Sequence, residues 1–159
     1  MSKGGYIKPL WRDSDVRRFY DAFNKEADRK IFLFLQREGE LFVTYARKNG
    51  NYKDHTGNLR SSVGYAIVRE GKVVSKNLEL SRDGLVRIKG LTKAKWLIDE
   101  LARIYIKGWT LLGVAAMEYA AAVEAIEGKN VISAAVEYTE NDTRSMSRIL
   151  FDKLAKKGL

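Results

Sequence analysis

Apolar residues recur at Val16, Phe19, Tyr20, Phe23, Ala27, Ile31, Phe34, Leu35, Leu41, Phe42 and Tyr45, the 3.6-residue period of a single helical stripe. No proline interrupts the run, and Asp13 or Ser14 can cap its start. The spacing predicts a helix over 15–48, roughly 50 Å long at the helical rise per residue. That exceeds what one compact domain needs. Either the helix reaches past its own core to pack against another copy, or it breaks at Gly39 and folds back. Asn49-Gly50 supplies a C-terminal stop.

Beyond that stop the pattern changes. Asp54, Thr56 and Asn58 can bond their own backbone and Gly57 can take positive φ, so this stretch reads as a corner. From Val63 onward Val63, Tyr65 and Ile67 alternate with Gly64, Ala66 and Val68, as in a half-buried strand. Glu70-Gly71-Lys72 can turn the chain into a second strand reaching about Leu80, which makes a hairpin. Ser81-Arg82-Asp83-Gly84 is a further turn, and Leu85 to Ile88 a short strand or an extended link. Thr92 is expected to cap an amphipathic helix that carries Ala94, Leu97, Ile98, Leu101, Ala102 and Tyr105 and ends near Gly108.

Trp109 to Met117 suits a buried strand, whereas Glu118 to Glu127 fits a strand end or a helical turn equally well. Gly128-Lys129-Asn130 is expected to break the chain before a last helix over 133–157. The fold class is therefore α+β: a long N-terminal helix, a small mostly antiparallel β-sheet, a covering helix and a C-terminal helix. Residues 1–14, which hold the only proline, Pro9, read as an N-terminal arm, and 15–159 as a single domain. Trp11 is an aromatic in an otherwise polar arm and needs a surface to bury its ring, on this chain or on a neighbour. Together with Phe19, Phe23 and Phe34 on the long stripe, it forms the candidate subunit interface.

Composition narrows the chemistry. The 159 residues include no cysteine and one histidine, so disulfides, thiolate metal sites and His-rich metal clusters are excluded. No apolar run approaches the ~20 residues that span a bilayer, and Met1 to Gly5 lack the apolar core of a signal peptide, so the expected location is the cytoplasm where the chain is made. A net charge of +9 makes nucleic acid or an acidic protein surface a plausible partner, although a solvated basic face accounts for it too. Asp54-His55-Thr56 holds the one histidine beside a carboxylate, but adjacent side chains rarely converge and no nucleophile motif accompanies them. Glu118 and Glu124 lack further ligands at a metal-binding spacing, and the glycines are spread through turns instead of gathered in a phosphate loop. No catalytic residue, cofactor or metal is assigned, and the chain reads as a non-enzymatic part of an assembly.

The run His55-Thr56-Gly57-Asn58-Leu59-Arg60-Ser61-Ser62 follows a long charged amphipathic helix and precedes Met117-Glu118-Tyr119-Ala120-Ala121-Ala122-Val123-Glu124. This order resembles the tailed-bacteriophage morphogenesis proteins known as tail-completion, head–tail connector (neck) or minor tail proteins. In that family a Thr-Gly-x-Leu-Arg-x-Ser element opens the first strand and a Tyr-Ala-x-x-Val-Glu element follows on a later strand. The residues carried over are Thr56, Gly57, Leu59, Arg60 and Ser62, then Tyr119, Ala120, Val123 and Glu124. The glycine that often follows the family's Val-Glu is delayed here to Gly128.

The resemblance implies a structural virion protein, made in the bacterial host cytoplasm, that forms a ring of about six or twelve copies at the head–tail junction or tail top. Its partners would be other copies, other phage connector and tail proteins, and DNA in the channel, with no membrane. The alternative is a basic nucleic-acid-binding module. Read as scaffold, Leu59 anchors the corner, Thr56 and Ser62 satisfy backbone groups, and Arg60 is expected to pair with Glu124.

Overall fold

The computed structural model describes residues 10–127 and 131–158. Most of the expected arm, residues 1–9, and the expected break at 128–130 lie outside the described residues. Helix α1 runs uninterrupted from Asp13–Asn49, beginning two residues before the expected domain boundary. Its N-cap position is Arg12, with no side-chain cap, and Asp13 and Asp15 in the first turn complement the helix dipole. Gly39 does not end the helix. It is buried where a Cβ would overlap the Tyr65 ring, so the missing side chain lets a strand close onto the helix, and that packing offsets a propensity cost of about 1 kcal/mol.

Strands β1 (Val63–Arg69), β2 (Lys72–Leu78) and β3 (Trp109–Ala115) form an antiparallel sheet in the order β2-β1-β3. Glu70 (φ 50°) and Gly71 (φ 79°) close the β1–β2 hairpin; two successive positive φ values match the right-handed twist of the strands they join. The alternation in β1 suggests one buried face, yet Val63 through Val68 are all buried. The reason is a helical layer on each side of the central strand. Val63, Tyr65 and Ile67 pack on Phe42, Val43 and Ala46 of α1, while Ala66 and Val68 pack under α3, Ile88–Ile104, through Ala94, Ile98 and Ala102.

Helix α3 starts before Thr92, whose hydroxyl instead donates to Ile88 O at 2.9 Å. An anchor distant in sequence sets the start: Gly90 N donates to the Asn58 side chain at 3.1 Å. The helix ends at Ile104, short of Gly108, as Tyr105 leaves helical geometry and its carbonyl accepts from Gly71 N at 3.0 Å. Leu85 to Arg87 form no strand. They are a link, tied by Val86 N to Thr56 O at 3.0 Å.

The other helices among the described residues are the short α2 (Asn58–Ser61), α4 (Ala120–Glu127) and α5 (Ser133–Gly158). Helix α5 lies beside α1 through a polar cluster: Arg37 pairs with both Glu38 and Asp142, and the Thr143 hydroxyl donates to Glu38 Oε2 at 2.9 Å. Among the described residues, no helix is long and apolar enough to cross a membrane.

Candidate functional site

The corner between α1 and β1 is a knot of short-range bonds. Gly57 sits in the left-handed region at φ 72°, packed so closely on Asp83 and Gly84 that a Cβ would collide with the Asp83 carbonyl. After it Asn58–Ser61 form a single helical turn, α2, so the first sequence element folds as a turn and a helical step before the strand begins. Asp54 Oδ2 accepts the Arg60 N–H at 2.7 Å, and the Thr56 hydroxyl accepts the Asn58 N–H at 3.3 Å. Ser61 Oγ donates to Gly57 O at 2.6 Å and accepts from Ser81 N at 2.9 Å, while Ser62 Oγ donates to Leu59 O at 2.8 Å. These bonds satisfy backbone groups that a tight corner removes from water.

Arg60 reaches back across the corner. Its guanidinium donates to the carbonyls of Arg47 (2.8 Å), Gly50 (3.1 Å) and Tyr52 (3.4 Å), and its Cζ lies 4.8 Å from the Tyr52 ring centroid. A cation over the exposed carbonyls of a helix C-terminus satisfies acceptors that have no intrahelical partner and complements the dipole. Tyr52 is buried beneath it, and burial pushes its phenol up to about 12.

The second element comes against the first. Leu59, Tyr52, Met117, Ala120 and Val131 form one buried cluster, with Val123 packed on it. Tyr119 is partly exposed; burial, opposed by the neighbouring Thr56 side chain and reinforced by the charge of Asp54, raises its phenol above the ordinary value. The segment from Ala120 is helical, which resolves the strand-or-helix ambiguity and differs from the later strand that the resemblance implied. A run of three alanines after Tyr119 favours helix once Ala120 and Val123 have a core to face.

The expected Arg60–Glu124 pair is not made, because each group has other partners. Glu124 Oε1 accepts the backbone N–H groups of Val131 (2.8 Å), Ile132 (2.7 Å) and Ser133 (2.9 Å), and Oε2 accepts from the Ser133 hydroxyl at 2.8 Å. Burial pushes the carboxyl up, but these bonds at the start of α5 outweigh it and hold it below the ordinary range. Both charged residues of the two elements therefore cap helices: Arg60 the end of α1, Glu124 the beginning of α5.

The remaining candidates are dispersed. His55 is exposed, and its neighbour Asp54 is turned to the Arg60 backbone. Glu118 forms an ion pair with Lys93, away from Glu124's bonds. Of the expected interface residues, Trp11 and Phe19 are exposed, whereas Phe23 and Phe34 are half-buried. Glu38 was not singled out by sequence, although it sits on the apolar stripe between Phe34 and Phe42 at helical spacing. It is fully buried, and that burial raises its carboxyl.

Beside the corner lies a cleft of about 620 Å³ lined by Arg47, Lys48, Arg60 and Arg82 against Glu79 and Asp83. Comparisons with protein-family models, curated proteins and solved structures find no match for this chain.

Proposed function

We propose that this chain is a structural virion protein of a tailed phage, assembling as a ring at the head–tail junction or tail top that joins the capsid connector to the tail and lets DNA pass. The observation that carries the reading is the overreach of α1. Its polar contacts with the sheet run from Asp28, which meets Arg69 and Trp109, to Arg47, which donates to Val63 O. The helix therefore extends about 22 Å past the sheet on its N-terminal side. Phe19 and Tyr20 on this overhang, and Met146, Ile149 and Phe151 on α5, are exposed. In a head-to-tail ring, neighbouring copies can bury apolar surface that one chain leaves in water.

The two sequence elements support the same reading, since their residues cap and pack helices and so set the angle at which α1 leaves the sheet. The partners are further copies, about six or twelve in a closed ring, together with the phage's other connector and tail proteins. Negative-stain imaging of the purified full-length chain tests the reading. Rings with a lumen wide enough for duplex DNA are expected; fields of single-chain particles at every concentration contradict it.

The second reading is a basic nucleic-acid-binding module. It is favoured by the cation-rich cleft beside the corner and the net charge of +9. Duplex binding by the isolated chain that weakens steeply with salt, without rings, would select this alternative.

A further inference from the structure

Among the described residues Glu38 is the only charged side chain that is fully buried, and it lies where α5 crosses α1. Its Oε2 accepts from the Thr143 hydroxyl at 2.9 Å. Its Oε1 meets Arg37 Nη1, and the same nitrogen atom meets Asp142 Oδ2 from α5. Two carboxyl groups seated on one nitrogen are close neighbours, and one guanidinium neutralises only one of them. The sheet brings no second cation. Tyr65, the β1 side chain beside Gly39, donates its phenol to Glu40 at 2.9 Å. The other charged residues of α5 near the cluster, Glu140 and Arg144, line the groove between α5 and β3. With both carboxyls ionised the cluster would hold an uncompensated negative charge out of water, which a low dielectric opposes. One proton held between them removes that charge.

We propose that Glu38 and Asp142 share one proton and form a pH-sensitive clasp between α1 and α5. With the proton in place the C-terminal half of α5 stays docked; when the proton is lost to water at higher pH, two anions face one guanidinium and that half loosens from α1. The clasp is a property of one chain and does not depend on the ring reading. The first half of α5 is held by other means: Ala135 sits in the core with Phe42 and Tyr65, Tyr138 stacks on Tyr45 with ring centroids 4.7 Å apart, and Glu124 caps the helix start. Beyond Thr143, Leu154 is the only buried residue among the described residues of α5. A segment with so little buried apolar surface depends on its polar anchor.

The titration of the two groups runs in the same sense. Burial, opposed by the Thr143 hydroxyl and reinforced by the Asp142 charge, raises the Glu38 carboxyl, whereas the Arg37 hydrogen bond lowers that of Asp142. Two coupled carboxyls that hold one proton are driven apart in this way. The folded chain therefore keeps the proton above the ordinary glutamate value of 4.5, where the unfolded chain has released it. The contribution of the clasp is complete below that value and is lost as the pH rises through the higher folded pKa.

Amide hydrogen exchange of the full-length protein at about pH 5 and about pH 9 tests the clasp. The readout is the protection of α5 amides over 144–157 relative to their intrinsic rates, with β1 amides as the reference. Wild type is expected to lose at least about five-fold of its α5 protection at the higher pH while β1 holds, the factor that two like charges roughly 4 Å apart supply even at the dielectric of water. Glu38→Gln is a neutral isostere that still accepts from Thr143 and donates to Asp142, and it should lose none. Asp142→Asn removes the like charge, keeps an acceptor for Arg37 and should flatten the profile too. It carries the comparison should Glu38→Gln not fold. A cluster that serves packing alone predicts instead that each variant lowers α5 protection equally at both pH values. That result, a wild-type profile without the fall, or a fall that persists in either folded variant would overturn the clasp.

Discussion

Arg60 Nη1 donates to the backbone oxygen of Arg47 at 2.8 Å, so the first sequence element closes the C-terminus of the helix that precedes it. Two further carbonyls and the Tyr52 ring complete the seat of the guanidinium. Arg60→Ala leaves these acceptors unmet, and a loss of about 2 kcal/mol is expected for a half-buried charged donor. Arg60→Lys keeps the charge without the planar fork and should recover less than half of that. Urea unfolding of the three proteins, compared at equal m-value, measures both losses.

Glu124 makes the opposite connection, from the second element to the start of α5. Glu124→Gln keeps the shape but removes the charge at a helix N-terminus, with an expected loss of about 1 kcal/mol at neutral pH. The folded carboxyl titrates below its ordinary value of 4.5. Its contribution is therefore complete above that value and is lost as the pH falls through the lower folded pKa. The stability difference between wild type and Glu124→Gln should accordingly shrink on acidification, and stability curves at neutral pH and near pH 3 check the sign.

Gly39 offers a test that runs against helix propensity. Alanine in an exposed helix interior gains about 1 kcal/mol over glycine, but at Gly39 the added Cβ overlaps the Tyr65 ring. Gly39→Ala should destabilise by about 1–3 kcal/mol, as overpacking does. A thermal midpoint equal to or above that of the wild type would show that Tyr65 can move aside.

The elements legible in the sequence were those whose signal is local: the 3.6-residue stripes of α1 and α5, and the hairpin turned at Glu70-Gly71. What was not legible depends on contacts distant in the chain. Thr92 resembles a cap, but the Asn58 side chain holds Gly90 and starts α3 earlier. The alternation of β1 gives no hint that helices cover both faces, and Glu38 reads as a surface charge until Arg37 and Thr143 enclose it. In the candidate site, Leu59 shares one apolar cluster with Ala120 and Val123, a contact between distant segments that no local pattern announces. The partners of Arg60 and Glu124 were not legible, because opposite charges suggested a pair where each group in fact meets the backbone at a helix end.

The native mass of the purified full-length chain, measured from dilute to concentrated solution in low and high salt, tests the assembly reading most directly. One discrete species is expected at a closed multiple of the chain mass, about six- or twelve-fold, shifting toward smaller species when Trp11→Ala and Phe19→Ala are combined. A one-chain mass throughout the concentration range, unchanged by that double substitution, would contradict it.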